Sequence, residues 1–345
     1  MRVGLVTGTR SLELVELPQP EPSPGRAVVK IAYCGICGTD LHAWTHGGAY
    51  SPAICGHEWS GTVSAVPSDV KRFREGDRVT LGIAAPCGQC AECRRGDGAH
   101  CTPAFLGMIG LGPLAGSHGG FAPSLAFDAE RLIPLPSDVS DEAAALVEPA
   151  TVAVHAVRRA GLQLGDTAVV VGAGPIGLLT LQCAIAGGAG AVLVIEPQEF
   201  RRNRAAELGA SAVVDPTNED VAERIAALFG RVGPDFVFEC AGIPSTIQLS
   251  ADWVRRGGTV ALVGVAALPA EIQPGGWLAR EIRLVASLGY QHEEFALTLG
   301  LIQDGRIRTA PLHTKTVGLE EMPAAFELLH EDPTEIKILV DPRRS

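Results

Sequence analysis

Residues 167–179 read TAVVVGAGPIGLL: an apolar run, a glycine turn, and a second apolar run opened by a proline. Three consecutive valines predict a strand, and Pro175 suits the first turn of a helix, where its missing N–H costs nothing. Between them Gly172, Gly174 and Gly177 make the pattern G-x-G-x-x-G. Alone, that pattern often marks only a tight turn; directly after a strand and before a helix it predicts a dinucleotide site. The first glycine permits the turn, the second lets backbone approach a pyrophosphate and the third lets helix pack closely on strand. Pro175 and Ile176 then lie beside the anion at the helix N-terminus.

Outward from this turn, short apolar runs alternate with helical stretches. TAVVVG, AVLVIE, SAVVD, DFVFECAG, TVALVG and IRLVASLG read as strands, with IGLLTLQCAIAGG, FRRNRAAELG, EDVAERIAALFG and TIQLSADWVRRGG as helices between some of them. Near-continuous apolar strands separated by amphipathic helices predict an α/β fold with a doubly wound parallel sheet covered on both faces. Glu196 ends the second strand, where a carboxylate accepts hydrogen bonds from the adenosine ribose and repels a 2′-phosphate, so NAD is expected rather than NADP. Arg201 and Arg202 pull the other way, since either can pair with that phosphate or simply line a solvated helix face. The turns Val263-Gly264-Val265 and Ser287-Leu288-Gly289 close later strands at the same sheet edge, where ligands gather in open α/β folds.

The first 150 residues differ in texture. Gly- and Pro-rich turns separate β-branched runs such as RAVVKIAYC and GTVSAV, which predicts an irregular β domain. Past about Tyr290 the alternation ends, and EEFALTLGLIQDG and MPAAFELLHE read as helices before the short strand KILVD. At 345 residues the chain exceeds what one core usually serves, so two domains are expected.

Composition narrows the partners. A net charge of −11 argues against nucleic acid or an anionic membrane, and no uncharged apolar run reaches the roughly 18 residues that span a bilayer. MRVGLVTGTR lacks the basic-then-apolar pattern of an export signal, so a cytoplasmic protein is expected, with its nine cysteines reduced or metal-bound rather than paired as disulfides.

Four of those cysteines, Cys87, Cys90, Cys93 and Cys101, stand within PCGQCAECRRGDGAHC, residues 86–101. A full set of thiolates suits tetrahedral zinc and leaves no vacant coordination position, so this site is read as structural; an iron–sulfur cluster is the competing occupant. Chemistry needs an open metal. CGICGTDLH supplies Cys37, Thr39, Asp40 and His42, ICGHEWSG supplies His57 and Glu58, and LVEPATVAVHAV supplies Glu148. One thiolate, one imidazole and one carboxylate could hold zinc while leaving a place for water or substrate. His42 and His46, four apart on a helix, form a rival pair with no third donor set by spacing, while Cys34 and Cys55 read as small buried hydrophobes.

In this order GICGTDLH, GHE, C-x2-C-x2-C-x7-C, VEP and GAGPIG cover nearly the whole chain, and the arrangement resembles the zinc-dependent medium-chain dehydrogenase/reductase family. Glu58 and Glu148 resemble its sorbitol, threonine and butanediol dehydrogenase branch, whereas simple alcohol dehydrogenases carry cysteine at the position of Glu148. The resemblance implies a GroES-like β-barrel catalytic domain over residues 1–152, a Rossmann NAD-binding domain over 153–289, and a tail, 290–345, that returns to the catalytic domain, with the active site between the two. Carried over, Cys37, His57 and Glu58 are ligands of a catalytic zinc. Glu148 is a further ligand or holds the metal's water, and Glu58 and Glu148 can exchange roles. Asp40 resembles the carboxylate that orients the ligand histidine, and Thr39 and His42 the relay that carries the alcohol proton to solvent. Two zinc ions per chain, and assembly as a homo-dimer or homo-tetramer through the last strands of the Rossmann sheet, follow from the same resemblance.

The expected activity is reversible oxidation of a secondary alcohol to a ketone with NAD. Zinc stabilises a deprotonated hydroxyl, the species able to release hydride. A carboxylate at 148 favours polyols, cyclitols, vicinal diols or a β-hydroxy amino acid over simple primary alcohols. Trp44, Tyr50 and Phe121 are candidate pocket walls or ordinary core. Two other readings keep every motif: an NADPH-dependent carbonyl reductase, and a non-catalytic zinc-stabilised nucleotide-binding protein.

Overall fold

A computed structural model describes residues 1–47, 55–107, 119–332 and 334–344. Strands β1 (Arg2–Gly8) and β2 (Ser11–Glu16) open the chain as a hairpin. They are followed by β3 (Arg26–Gly35), β4 (Glu58–Ala65), β5 (Arg78–Leu81), β6 (Ser124–Asp128) and β7 (Leu132–Pro134). Next come β8 (Thr167–Val171), β9 (Ala191–Ile195), β10 (Ala212–Val214), β11 (Phe236–Glu239), β12 (Thr259–Leu262) and β13 (Arg283–Ala286), and finally β14 (His313–Val317) and β15 (Lys337–Val340).

The chain divides into two compact units: Met1–Glu148 with Gln291–Leu299 and His313–Ser345, and Pro149–Tyr290 with Gly300–Leu312. In the first unit the sheet runs β14-β15-β3-β4-β5-β7, with β6 also paired to β3. Its core gathers Trp44, Trp59, Phe121, Phe127 and Phe326, and Trp59 meets Phe127 edge-on at 5.3 Å. Trp44 and Phe121 both pack against Phe326 inside this core, which is the bland reading of the two as wall candidates; Tyr50 lies outside the described residues.

The second unit is the doubly wound sheet expected of the six apolar runs, all parallel, in the order β10-β9-β8-β11-β12-β13. Val169, Val170, Leu193, Val194, Val237 and Val260 are fully buried, as strands covered on both faces require. The order reverses beside β8, so the glycine turn that follows this strand sits at the switch point where nucleotides bind. A helix over Pro274–Arg280, absent from the sequence reading, precedes the outermost strand β13.

The tail is shared rather than returned whole to the first unit. Its segment Gly300–Leu312 belongs to the second unit, where the Arg308 amide donates to Gln182 Oε1 at 2.7 Å and its guanidinium pairs with Glu207 at 3.1 Å. Strand β15 brings the remainder back beside β3, with Leu339 opposite Gly35.

Candidate metal centres and nucleotide site

Two segments of the first unit bring Cys37, His57 and Glu58 together. Cys37 caps the helix Gly38–His46: its sulfur accepts from the Thr39 amide at 3.4 Å, while Asp40 Oδ2 accepts from the Cys37 amide at 2.9 Å. This reciprocal cap fixes the thiol at the helix N-terminus. His57 and Glu58 start β4, and strand register sets Glu58 opposite Gly35. A side chain at 35 would overlap the Glu58 carboxylate, so only glycine leaves room for it.

The donor atoms of Cys37, His57 and Glu58 all lie within 4.8 Å of one another. A thiolate, an imidazole and a carboxylate so placed fit the open, three-donor pattern of catalytic zinc. His57 and Glu58 are buried, and Asp40, fully buried, faces His57 Nδ1 with Oδ1 at 3.8 Å. Burial by itself pushes the His57 imidazole down, yet the charges of Cys37, Asp40 and Glu148 outweigh it and hold the group well above its ordinary range.

Glu148 lies in the first turn of the helix Val147–Ala160 and is 6% exposed. It is close enough to raise both His57 and Lys337, but among the described residues the three-donor group does not include it. Thr39 Oγ1 lies 3.6 Å from Cys37 Sγ. His42 is exposed and stacks on His46 at 5.3 Å, and among the described residues no third donor groups with this pair.

Sequence reasoning missed Lys337. It reads there as an ordinary polar residue in KILVD, but it is 2% exposed, and its ammonium donates to both Glu58 oxygens at 2.8 and 2.6 Å and to Ile36 O at 2.9 Å. No local pattern announces a partner 279 residues away.

The second cluster is the cysteine loop. Cys87, Cys90, Cys93 and Cys101 have their sulfurs within the same 4.8 Å limit. Gln89 and Cys90 amides donate to Cys87 Sγ at 3.4 Å, the Cys87 amide donates to Cys101 Sγ at 3.3 Å, and Cys90 caps a short helix over Ala91–Arg94. The amides of Gln89 and Cys90 bring the Cys87 thiol down to about 7. All nine cysteines are free of disulfides. Four thiols converge with their backbone already folded around them, the closed set that a structural zinc takes.

In the second unit the glycine turn has the geometry its spacing predicted. Gly172 has φ +92°, reachable without strain by glycine, and a side chain at Gly177 would overlap the Gly172 carbonyl. Gly174 is the N-cap of the helix Pro175–Ala186 and has open space where its side chain would stand, leaving room for an anion against the helix end and Ile176. Glu196, 4% exposed, accepts from the Ala173 and Gln198 amides at 2.7 and 3.0 Å, so it braces the turn itself. Arg202 is engaged with Asp215 at 3.1 Å and with the Glu196 carbonyl at 2.8 Å, and Arg201 is half-buried beside it. Val263 and Gly264 both donate to Glu239 O, Val265 is exposed, and Leu288 and Gly289 follow β13, placing these turns at the same strand ends.

Comparison with known proteins agrees with both units. Residues 23–137 match the alcohol dehydrogenase GroES-like domain, and residues 175–304 match the zinc-binding dehydrogenase family. The chain is 33% identical to (R,R)-butanediol dehydrogenase of Bacillus subtilis (strain 168), covering 96% of this chain and 97% of that protein. It is 31% identical to sorbitol dehydrogenase of the same organism, covering 100% and 98%. The solved structure of a protein assigned as a zinc-binding dehydrogenase of Sinorhizobium meliloti 1021, bound to NADP, superposes with a TM-score of 0.87 at 31% identity over 99% of each chain. Fold and site thus define an alcohol oxidoreductase built from a GroES-like unit and a Rossmann unit. The chain belongs to the zinc-dependent medium-chain dehydrogenase/reductase family.

Proposed function

We propose that the protein oxidises a secondary alcohol bearing a neighbouring hydroxyl or amino group to the ketone, reversibly, with NAD as hydride acceptor. Polyols, cyclitols, vicinal diols and β-hydroxy amino acids are the substrate classes this covers, and the butanediol and sorbitol dehydrogenases among its relatives support it. The observation that carries the reading is the contrast between two donor sets, one closed by four thiols and one left open by Cys37, His57 and Glu58.

In this account Cys37, His57 and Glu58 hold the catalytic zinc, Glu148 serves as exchangeable donor or holds the water, and Cys87, Cys90, Cys93 and Cys101 hold a structural one. The metal supplies Lewis-acid stabilisation of a deprotonated substrate hydroxyl when bound. Thr39, held at the helix N-terminus beside Cys37, relays the proton, accepting the substrate's as it gives up its own, and exposed His42 takes the released proton and passes it to solvent. Asp40 keeps the His57 ring oriented.

Gly172, Gly174, Pro175, Ile176, Gly177, Glu196, Arg201, Val263, Gly264, Val265, Leu288 and Gly289 form the nucleotide site. Buried Glu196 and the pairing of Arg202 to Asp215 support NAD, because a 2′-phosphate would meet a carboxylate and would have to break an existing ion pair. NADPH-dependent carbonyl reduction is the second reading, favoured by the NADP-bound structural relative. The outermost strand β13, with Leu284 and nearby Leu278 and Leu288 exposed, supports a homo-dimer or homo-tetramer. No helix among the described residues is long and apolar enough to cross a membrane, and we place the protein in the cytoplasm.

The test is NAD and NADP reduction by zinc-loaded protein over a panel of polyols, vicinal diols and β-hydroxy amino acids, before and after chelation. Chelator-sensitive NAD reduction on one of these classes is expected. Loaded protein inert on the whole panel contradicts the proposal, and a strong preference for NADP selects the second reading.

A further inference from the structure

Between the glycine turn after β8 and the 263–265 turn after β12 stands a third bend, residues 240–242, which closes β11. Strand β11 lies between the other two, with Glu239 level with Val171 on one side and with Leu262 on the other. At their carboxyl ends backbone meets backbone. A side chain at Gly172 would stand 3.2 Å from Ala241, and one at Gly264 would overlap the Gly242 amide. One at Gly242, where φ is +66°, would come within 2.6 Å of Val265 O. The middle bend therefore sets the spacing of its two neighbours.

One fully buried carboxylate holds that bend. Glu239 Oε1 accepts from the Ala241 and Gly242 amides, both at 3.0 Å, and from the hydroxyl of Thr246, in the helix Pro244–Trp253, at 2.8 Å. The Glu239 carbonyl accepts from the Val263 and Gly264 amides at 2.9 and 2.8 Å, and the Cys240 amide donates to Val171 O at 2.9 Å. Glu196 braces the first turn through Ala173, so two buried carboxylates hold amides around the nucleotide site. Amides fixed before a ligand arrives lose less freedom when it binds. We propose that Glu239 is a positioning residue for the nucleotide: it fixes the 240–242 bend and, through it, the separation of the 172–174 and 263–265 turns on which the nucleotide rests.

This inference rests on the reading that the second unit binds a nicotinamide nucleotide, and fluorescence titration of the zinc-loaded protein with NADH and NADPH separates the two. In Glu239→Ala the bend is released, and the Kd for NADH rises by about tenfold, the scale of a lost buried acceptor. The Kd for NADPH rises by the same factor, because the brace bears on the turns and not on Glu196, the residue that tells the two nucleotides apart. Glu239→Gln keeps an oxygen for both amides and for Thr246, and stays within about twofold of the wild type. In turnover, KM for NAD rises in Glu239→Ala while kcat at saturating NAD is unchanged. Gly242→Ala, strained at its positive φ and pressed against Val265 O, displaces the same bend without altering Glu239. It weakens NADH binding as well, which keeps the idea testable where Glu239→Ala does not fold. Folded Glu239→Ala or Gly242→Ala that binds NADH as the wild type does overturns the inference, even where thermal stability falls. So does Glu239→Gln that binds as weakly as Glu239→Ala. The underlying reading fails separately: wild type that binds neither NADH nor NADPH overturns it.

Discussion

Asp235 shows how far one side chain can fasten the nucleotide unit. Its Oδ2 accepts from the Thr167 amide at 2.8 Å and from the Thr167 hydroxyl at 2.7 Å, and its Oδ1 from Arg255 Nε at 2.7 Å, tying the start of β8 to the neighbouring strand and helix. Burial pushes this carboxyl up, but the Thr167 amide and the Arg255 guanidinium outweigh it and hold it below the usual carboxylate range. With its folded pKa below the unfolded value near 4, its contribution is complete above about pH 5 and is lost as pH falls through the folded pKa. Asp235→Asn is therefore expected to cost about 1–3 kcal/mol at pH 7 and much less at pH 3. Urea unfolding at both values checks this, and an equal cost at both contradicts it. The same scale explains what sequence could not disclose. The place of Glu196 at the end of a strand suggests a ribose acceptor, but nothing local announces it as the brace of Ala173 and Gln198, because its partners are backbone amides that every residue carries.

Among elements, legibility followed periodicity. The six strands of the parallel sheet stood out because each holds a short apolar run, buried on both faces in β8, β9, β11 and β12, and the helices between them because their apolar faces recur at helical spacing. The helix Pro274–Arg280 did not, since PGGWLAR begins with residues of poor helix propensity and forms through its neighbours, with Arg280 donating to Ala251 O and Val254 O. Lys337 was hidden for the opposite reason: its strand was legible, but its burial depends on a partner met only after the whole chain has folded. The cysteine loop is the element most fully readable from spacing, and it carries its own prediction. Cys93→Ser is expected to remove one zinc per chain and lower the thermal midpoint by about 5 °C or more, while NAD still binds the second unit. Metal analysis and a melt decide it, and unchanged zinc content contradicts it.

For the whole molecule, two units of different texture hold separate features: one gathers the candidate donors Cys37, His57 and Glu58 from two distant segments, the other a glycine turn at a sheet switch point. The first is the more fragile in design, since Cys37, His57, Glu58 and Lys337 must arrive from a helix cap, a strand start and the final strand. That convergence has little value to stability, because buried ionic groups cost desolvation that an apolar core would avoid. The proposed chemistry at an open metal would give this convergence a use. The most direct measurement is zinc per chain together with turnover for wild type and Cys37→Ser. Two zinc ions with activity in the wild type, and one zinc ion with no turnover in a folded Cys37→Ser, are predicted. A wild type holding one zinc ion that Cys37→Ser leaves in place, with turnover intact, would contradict the account.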